Sequence, residues 1–138
     1  MWLLLINPKS GNGRGNKVGK LVKQELNAFG IEYLDVSADS AQQSQVNLKS
    51  KLGGSQKFEG LFLIGGDGTV NLAVQELVGS GLGVALIPAG TGNDFARTLN
   101  LKLKNPEQLI KHYLSSRPSL IDVGKVGEKY FVDVLSTG

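Results

Sequence analysis

A chain of 138 residues, 41% of them apolar and 20% charged, is sized for one globular domain. The absence of cysteine and the single histidine, His112, exclude disulfides, thiolate chemistry and any multi-histidine metal centre. A net charge of +3 is too small to argue for nucleic acid, and no apolar run approaches the ~20 residues of a membrane span.

Residues 2–6, Trp-Leu-Leu-Leu-Ile, form a continuous apolar run, which predicts a strand covered on both faces. The run lacks a basic flank and a small-residue cleavage site, so it reads as a strand and not a signal peptide, and a cytoplasmic protein is expected. A glycine-rich loop, Asn7-Pro-Lys-Ser-Gly-Asn-Gly-Arg-Gly15, follows. Val18, Leu21, Val22, Leu26 and Phe29 then mark one face of a helix, with Gly30 where a left-handed C-terminal residue belongs. Residues 31–37 predict a second strand, and residues 39–52 a helix with Ala41, Leu48 and Leu52 inward.

The most informative stretch is Leu61-Phe-Leu-Ile-Gly-Gly-Asp-Gly-Thr-Val-Asn71. Four apolar residues predict a buried third strand, and Val70, Ala73, Val74, Leu77 and Val78 recur at helical spacing after it. Between them, Gly65, Gly66 and Gly68 surround one carboxylate, Asp67. Strand, glycine turn and helix N-terminus together present backbone N–H groups and a positive dipole end to an anion. Asp67 would repel a phosphate unless a divalent cation or a proton stood between them, which suggests nucleotide phosphates with a metal.

Residues 83–88 predict a fourth strand, closed by Pro88. Ala89-Gly-Thr-Gly-Asn-Asp94 is another glycine turn, leading into a short helix through Phe95 and Leu99. Asn105-Pro-Glu-Gln108 reads as a helix start, with Leu109, Ile110, Tyr113 and Leu114 on the buried face. Residues 120–126 and 129–135 predict two strands joined by a tight turn at Gly127-Glu128. Alternating β and α units predict a three-layer α/β/α domain with a mostly parallel sheet and right-handed crossovers. Three glycine turns follow the C-terminal ends of strands, the edge where such sheets bind ligands, and so can converge on one site. Neither the pattern G-x-x-x-x-G-K-[ST] nor G-x-G-x-x-G occurs, so the phosphate site is of another kind.

These motifs resemble the catalytic region of the diacylglycerol kinase and sphingosine kinase superfamily, in particular its soluble bacterial lipid kinases. The matching pieces are Asn7-Pro-Lys-Ser-Gly11, Gly65-Gly-Asp-Gly-Thr-Val-Asn71 and Pro88-Ala-Gly-Thr-Gly-Asn-Asp-Phe-Ala-Arg97, in the family's order. Ile121-Asp-Val-Gly124 and Tyr130-Phe-Val-Asp-Val134 match more weakly, and Asp133 departs from the usual Asn. The G-G-D-G-T element is shared with NAD kinases; the third motif decides for the lipid kinases.

The resemblance implies a fold like the N-terminal domain of NAD and diacylglycerol kinases, with ATP and Mg2+ as cofactors. Asn7, Pro8, Lys9, Ser10, Gly11, Gly65, Gly66, Asp67, Gly68, Thr69, Asn71 and Thr91 would bind nucleotide. Asp67 would act through magnesium and Asp122 near the catalytic centre, although Asp122 also reads as a plain strand-end residue. Asn93 and Asp94 are substrate-site candidates, and Asp94 suits equally well a helix cap. Ser10 and Thr69 offer hydroxyls as donors or metal ligands. Ser37 and Ser40 both sit where relatives place a nucleotide-contacting hydroxyl. Lys9, Arg14, Lys17, Lys20 and Lys23 are mostly a solvated helix face, with Lys9 or Arg14 placed to meet phosphates or anionic head groups. His112 reads as a surface residue, and Trp2 and Phe62 as core.

The implied activity is transfer of the γ-phosphate of ATP to a lipid hydroxyl, from diacylglycerol to phosphatidic acid. A sphingoid acceptor, or a non-catalytic nucleotide- or lipid-binding module, are the alternatives. The resemblance further implies a lipid partner met at the membrane surface by peripheral contact, without nucleic acid or a membrane span, and allows a homodimer. Members continue into a β-sandwich domain carrying the general base and an accessory metal site, so residues 1–138 alone should turn over little or not at all.

Overall fold

The structure, a computed structural model, describes residues 1–78, 80–89, 106–115, 121–126 and 129–134. Its elements run β1 (Trp2–Ile6), α1 (Ser10–Ala28), β2 (Tyr33–Asp35), α2 (Ala41–Leu52), β3 (Leu61–Gly65), α3 (Asp67–Leu77), β4 (Val84–Pro88), α4 (Pro106–Ser115), β5 (Ile121–Val126) and β6 (Lys129–Val134). One sheet holds the strands in the order β2-β1-β3-β4-β5-β6. The first four are parallel, while β5 and β6 form an antiparallel hairpin whose register pairs Val126 with Lys129. Helix α1 packs against α4, and α2 against α3. Strand order reverses at β1, so right-handed crossovers place these pairs on opposite faces. The expected three-layer α/β/α domain is the fold observed.

Coverage on both faces explains the unbroken apolar runs. Every residue of β1 and β3 is buried, and the Trp2 and Phe62 rings meet in this core at 4.4 Å between centroids. Helix α1 seats its stripe of Gly15, Val18, Gly19, Val22 and Leu26 on the sheet. Leu21 and Phe29, expected inward, are instead 48% and 42% exposed, because the two buried glycines draw the helix onto β1 and rotate those positions to its flank. A Cβ at Gly15 would run into the Asn7 carbonyl. Gly30, at φ 70°, ends α1 as expected: its N–H donates to the Asn27 carbonyl and the Ile31 N–H to that of Leu26.

The first loop is shorter than expected, since α1 begins at Ser10 and is interrupted at Gly11–Gly13 by positive φ. Strand β2 is also shorter than residues 31–37. Past its end, the Ser37 hydroxyl replaces a ladder carbonyl and accepts the Ile6 N–H at 2.7 Å. On α2, Leu48 is buried and Leu52 partly so, but Ala41 is exposed. Ser44 takes the inward position, its hydroxyl satisfied by the Ala38 N–H at 2.9 Å. On α4, Leu109 and Ile110 are buried as expected. The turn at residues 90–94, the short helix beyond it, Asn105 and the turn at 127–128 lie outside the described residues.

An ion pair ties α1 to β2, with Lys23 Nζ 2.8 Å from Asp35 Oδ2. Burial pushes the Asp35 carboxyl up, but hydrogen bonds from Lys23 and Ser37 outweigh it and hold the group below its ordinary value. The hydrogen bond to Asp35 raises Lys23, against partial desolvation. The acid's contribution is therefore present above the ordinary carboxylate value of about 3.9 and lost as pH falls through the lowered one. The lysine's is complete below about 10.4 and lost as pH rises through its raised value. Asp35→Asn should cost about 0.2–1 kcal/mol near neutral pH, a gap that shrinks with salt and closes in acid. Urea unfolding across pH measures it. In the same assay, Gly15→Ala should cost about 1–3 kcal/mol through overpacking. Gly53→Ala should be nearly neutral, since a Cβ there meets its nearest atom at 3.4 Å.

Candidate active-site cleft

The cleft is built around Asn7, the first residue after β1. Its N–H donates to the Ile64 carbonyl at 2.9 Å, and its carbonyl accepts the Ser10 N–H at 3.2 Å. Its side-chain oxygen accepts the Lys9 N–H at 3.2 Å, and its Nδ2 donates to Thr69 Oγ1 at 3.0 Å. Thr69 is buried in the first turn of α3. One asparagine thus ties the loop after β1 to the helix after β3, across the point where strand order reverses. A Cβ on Gly65 would stand 2.5 Å from Thr69 Oγ1, so that glycine has a packing purpose.

Beside this tie lies a cleft of about 320 Å³, at the small end of the usual range for ligand pockets. Asn7, Pro8 and Ser10 line it from the first loop, and Gly66, Gly68, Thr69 and Leu72 from the third. Ala38, Asp39, Ser40, Ala41 and Ser44 close it from the second. Two helices start here. Gly66 caps α3, leaving the amides of Asp67, Gly68 and Thr69 without partners in the helix. Ser40 caps α2 by accepting the Gln43 N–H at 3.1 Å. Both dipoles present their positive ends to the cleft. A Cβ at Gly68 would meet nothing within 4 Å, so its backbone is open to a ligand. The arrangement suits an anion, and a polyphosphate above others.

Of the residues expected from sequence, Asn7, Pro8, Ser10, Gly66, Gly68 and Thr69 meet in the cleft, and Asp67 is the first residue of α3. Lys9 and Asn71 are exposed, and neither lines the cleft. Gly11 faces the fourth strand's exit, where a Cβ would collide with the Ala89 carbonyl. Asp122 is not brought to the cleft: β5 meets β4 where Ile121 pairs with Val84, at the opposite end from Pro88. Thr91, Asn93 and Asp94 lie outside the described residues. Of the two serines weighed, Ser40 lines the cleft and Ser37 serves the sheet. Ser44 and Asp39 were not legible as site residues; Ser44 in particular sits at an apolar position of its helix.

Fold and cleft define a doubly wound α/β domain with an anion-attracting site at its topological switch point. Residues 1–126 match the family of the diacylglycerol kinase catalytic domain, and the chain belongs to that family. It is 31% identical to a diacylglycerol kinase of Mycobacterium tuberculosis over 139 residues, 97% of this chain and 44% of that protein. It is 28% identical to one of Staphylococcus carnosus over 140 residues, 98% of this chain and 44% of the relative. A crystal structure of a diacylglycerol kinase from Bacillus anthracis superposes with a TM-score of 0.72 at 25% identity, covering 94% of this chain and 45% of that one. The chain spans less than half the length of these relatives.

Thr69→Val keeps the shape of the side chain but removes the acceptor of the Asn7 amide. It should cost about 1–3 kcal/mol in denaturant unfolding, while Thr69→Ser retains most of the stability.

Proposed function

We propose that this protein is the nucleotide-binding part of an ATP-dependent lipid kinase that phosphorylates diacylglycerol to phosphatidic acid. The observation that carries the reading is the meeting of the α2 and α3 N-termini on one cleft, in a chain of the diacylglycerol kinase catalytic family. The phosphates of ATP lie against the free amides at the start of α3, beside Gly68, with Asn7, Pro8 and Ser10 as the facing wall. The tie between Asn7 and Thr69 fixes the distance between the walls before any ligand arrives. Such preorganisation is what phosphoryl transfer asks of a protein, since catalysis is mostly positioning and charge neutralisation.

The donor set fits magnesium. No group of three candidate ligands occurs among the described residues. Magnesium nevertheless commonly takes one or two carboxylates and draws its other ligands from phosphates and water. Asp67, the first residue of α3, would be the carboxylate to hold it, and the ion would supply charge neutralisation to the phosphates. The lipid hydroxyl oxygen forms its bond to the γ-phosphorus as the bond to the β–γ bridging oxygen breaks, and ADP departs. The base that takes the hydroxyl proton is assigned to residues outside this chain, and no step is assigned to Asp122. The exposed Lys9, Arg14, Lys17 and Lys20 support an approach to anionic head groups by a cytoplasmic enzyme in peripheral contact with the membrane.

Asp67→Asn in the full-length protein should lower phosphatidic acid formation by ~10²-fold or more with a smaller change in apparent ATP affinity. Its charge acts on the transition state, whereas backbone amides carry ground-state binding. The fold should survive, because the start of α3 is set by Gly65 against Thr69. Full activity in the folded variant, or amide NMR signals of residues 66–69 that stay still under ATP and magnesium, would refute the reading.

A further inference from the structure

The first loop contains a feature that the proposed phosphate site does not use. Gly11, Asn12 and Gly13 have successive φ values of 59°, 58° and 94° and break the start of α1. Among the described residues Asn12 is the sole non-glycine with positive φ. Asparagine tolerates that region better than most residues. Its side chain is exposed, and a Cβ on the following Gly13 would meet nothing within 4 Å. Asn12-Gly13 is also the only Asn-Gly pair in the sequence.

We propose that Asn12-Gly13 is a site of spontaneous deamidation that ages the loop from neutral to anionic. The Gly13 amide nitrogen attacks Asn12 Cγ, forming a carbon–nitrogen bond. The side-chain nitrogen leaves as ammonia, and the proton of the Gly13 N–H is lost in the same exchange. Water then opens the five-membered succinimide at either carbonyl, giving aspartate or isoaspartate. Water is the only co-reactant. Glycine is the residue that best permits this closure, because it has no Cβ beside the attacking nitrogen and its backbone turns freely. Ring closure requires rotation about the Asn12 ψ angle from 43°, in a segment that is solvated and unobstructed on the Gly13 side.

The product places a carboxylate beside Ser10 and Gly11, and its isoaspartyl form adds a methylene to the backbone. Gly11 has no slack to absorb that extra atom, since it abuts the Ala89 carbonyl. A negative charge there opposes a bound polyphosphate. This consequence rests on the nucleotide reading above; the modification itself does not.

The full chain is incubated in warm, mildly alkaline buffer and digested with trypsin, which cuts after Lys9 and Arg14 and releases residues 10–14 as one peptide. The expected result is a time-dependent gain of about one dalton in that peptide, with isoaspartate detected by enzymatic methylation. Peptides holding Asn16, Asn27, Asn47 and Asn71 should lag behind it. Asn12→Gly, which suits the positive φ, should abolish the gain. A peptide 10–14 that stays unmodified while the same peptide from urea-unfolded chain converts would overturn the proposal. For the consequence, Asn12→Asp should bind ATP with magnesium more weakly than the unmodified chain; equal binding overturns the loss of affinity. If the unmodified chain binds no ATP, the nucleotide reading fails, and the peptide mass still decides the modification.

Discussion

Asn7 has four polar groups, and each has a partner: the Ile64 carbonyl for its N–H, the Ser10 N–H for its carbonyl, the Lys9 N–H for its Oδ1 and Thr69 Oγ1 for its Nδ2. Its carbonyl also stands where a side chain on Gly15 would lie. The residue therefore settles three things together: where β1 stops, how α1 approaches the sheet, and how far the loop after β1 stands from the start of α3. Because β1 and β3 are neighbours at the point where the strand order reverses, the gap between their exits is the cleft itself. A looser residue at this position would leave the cleft walls free to drift, and buried Thr69 without its donor.

The chemistry of the cleft comes mainly from backbone. Helices α2 and α3 start on the same side of the sheet and pack together, so their positive ends arrive side by side. The glycines divide the remaining work. Gly65 is small because Thr69 fills the space beside it, whereas Gly68 has open space and leaves the helix terminus uncovered. The motif read in the sequence as one phosphate cradle is thus two devices, one for packing and one for access. The apolar end, lined by Leu5, Ile6, Ala38 and Leu72, gives the cleft a low-dielectric wall against which the helix dipoles act more strongly.

The network beneath the second wall shows how the sheet edge serves the site. The Lys23–Asp35 pair anchors α1 to β2, Asp35 accepts the Ser37 N–H at 2.8 Å, and the Ser37 hydroxyl accepts the last amide of β1. The chain then turns into residues 38–40 at a fixed place, and Ser44 accepts the Ala38 N–H from within α2. Residues 38–44 are held to the cleft by this chain of short-range bonds, although β2 itself is only three residues long.

Much was legible in the sequence because it depends on local pattern. Continuous apolar runs marked β1, β3 and β4, helical spacing marked α3, and a strand–glycine–helix junction marked the anion site; each signal lies within a dozen neighbouring residues. The alternation of strands and helices, with the edge rule for parallel sheets, was enough to bring the first and third loops together. What the sequence left undecided depends on contacts between distant residues. Which side of α1 is buried was decided by Gly15 and Gly19 meeting β1, and Leu21 and Phe29 carry no local sign that they lie on the flank. Ser44 becomes inward because a backbone amide six residues away needs an acceptor. Ser40 lines the cleft while the Ser37 hydroxyl is taken by the distant Ile6 N–H, and the position of Asp122 at the far end of β4 follows from register between strands. Periodicity along a chain reports faces and turns; only the folded sheet decides which of those faces share a wall.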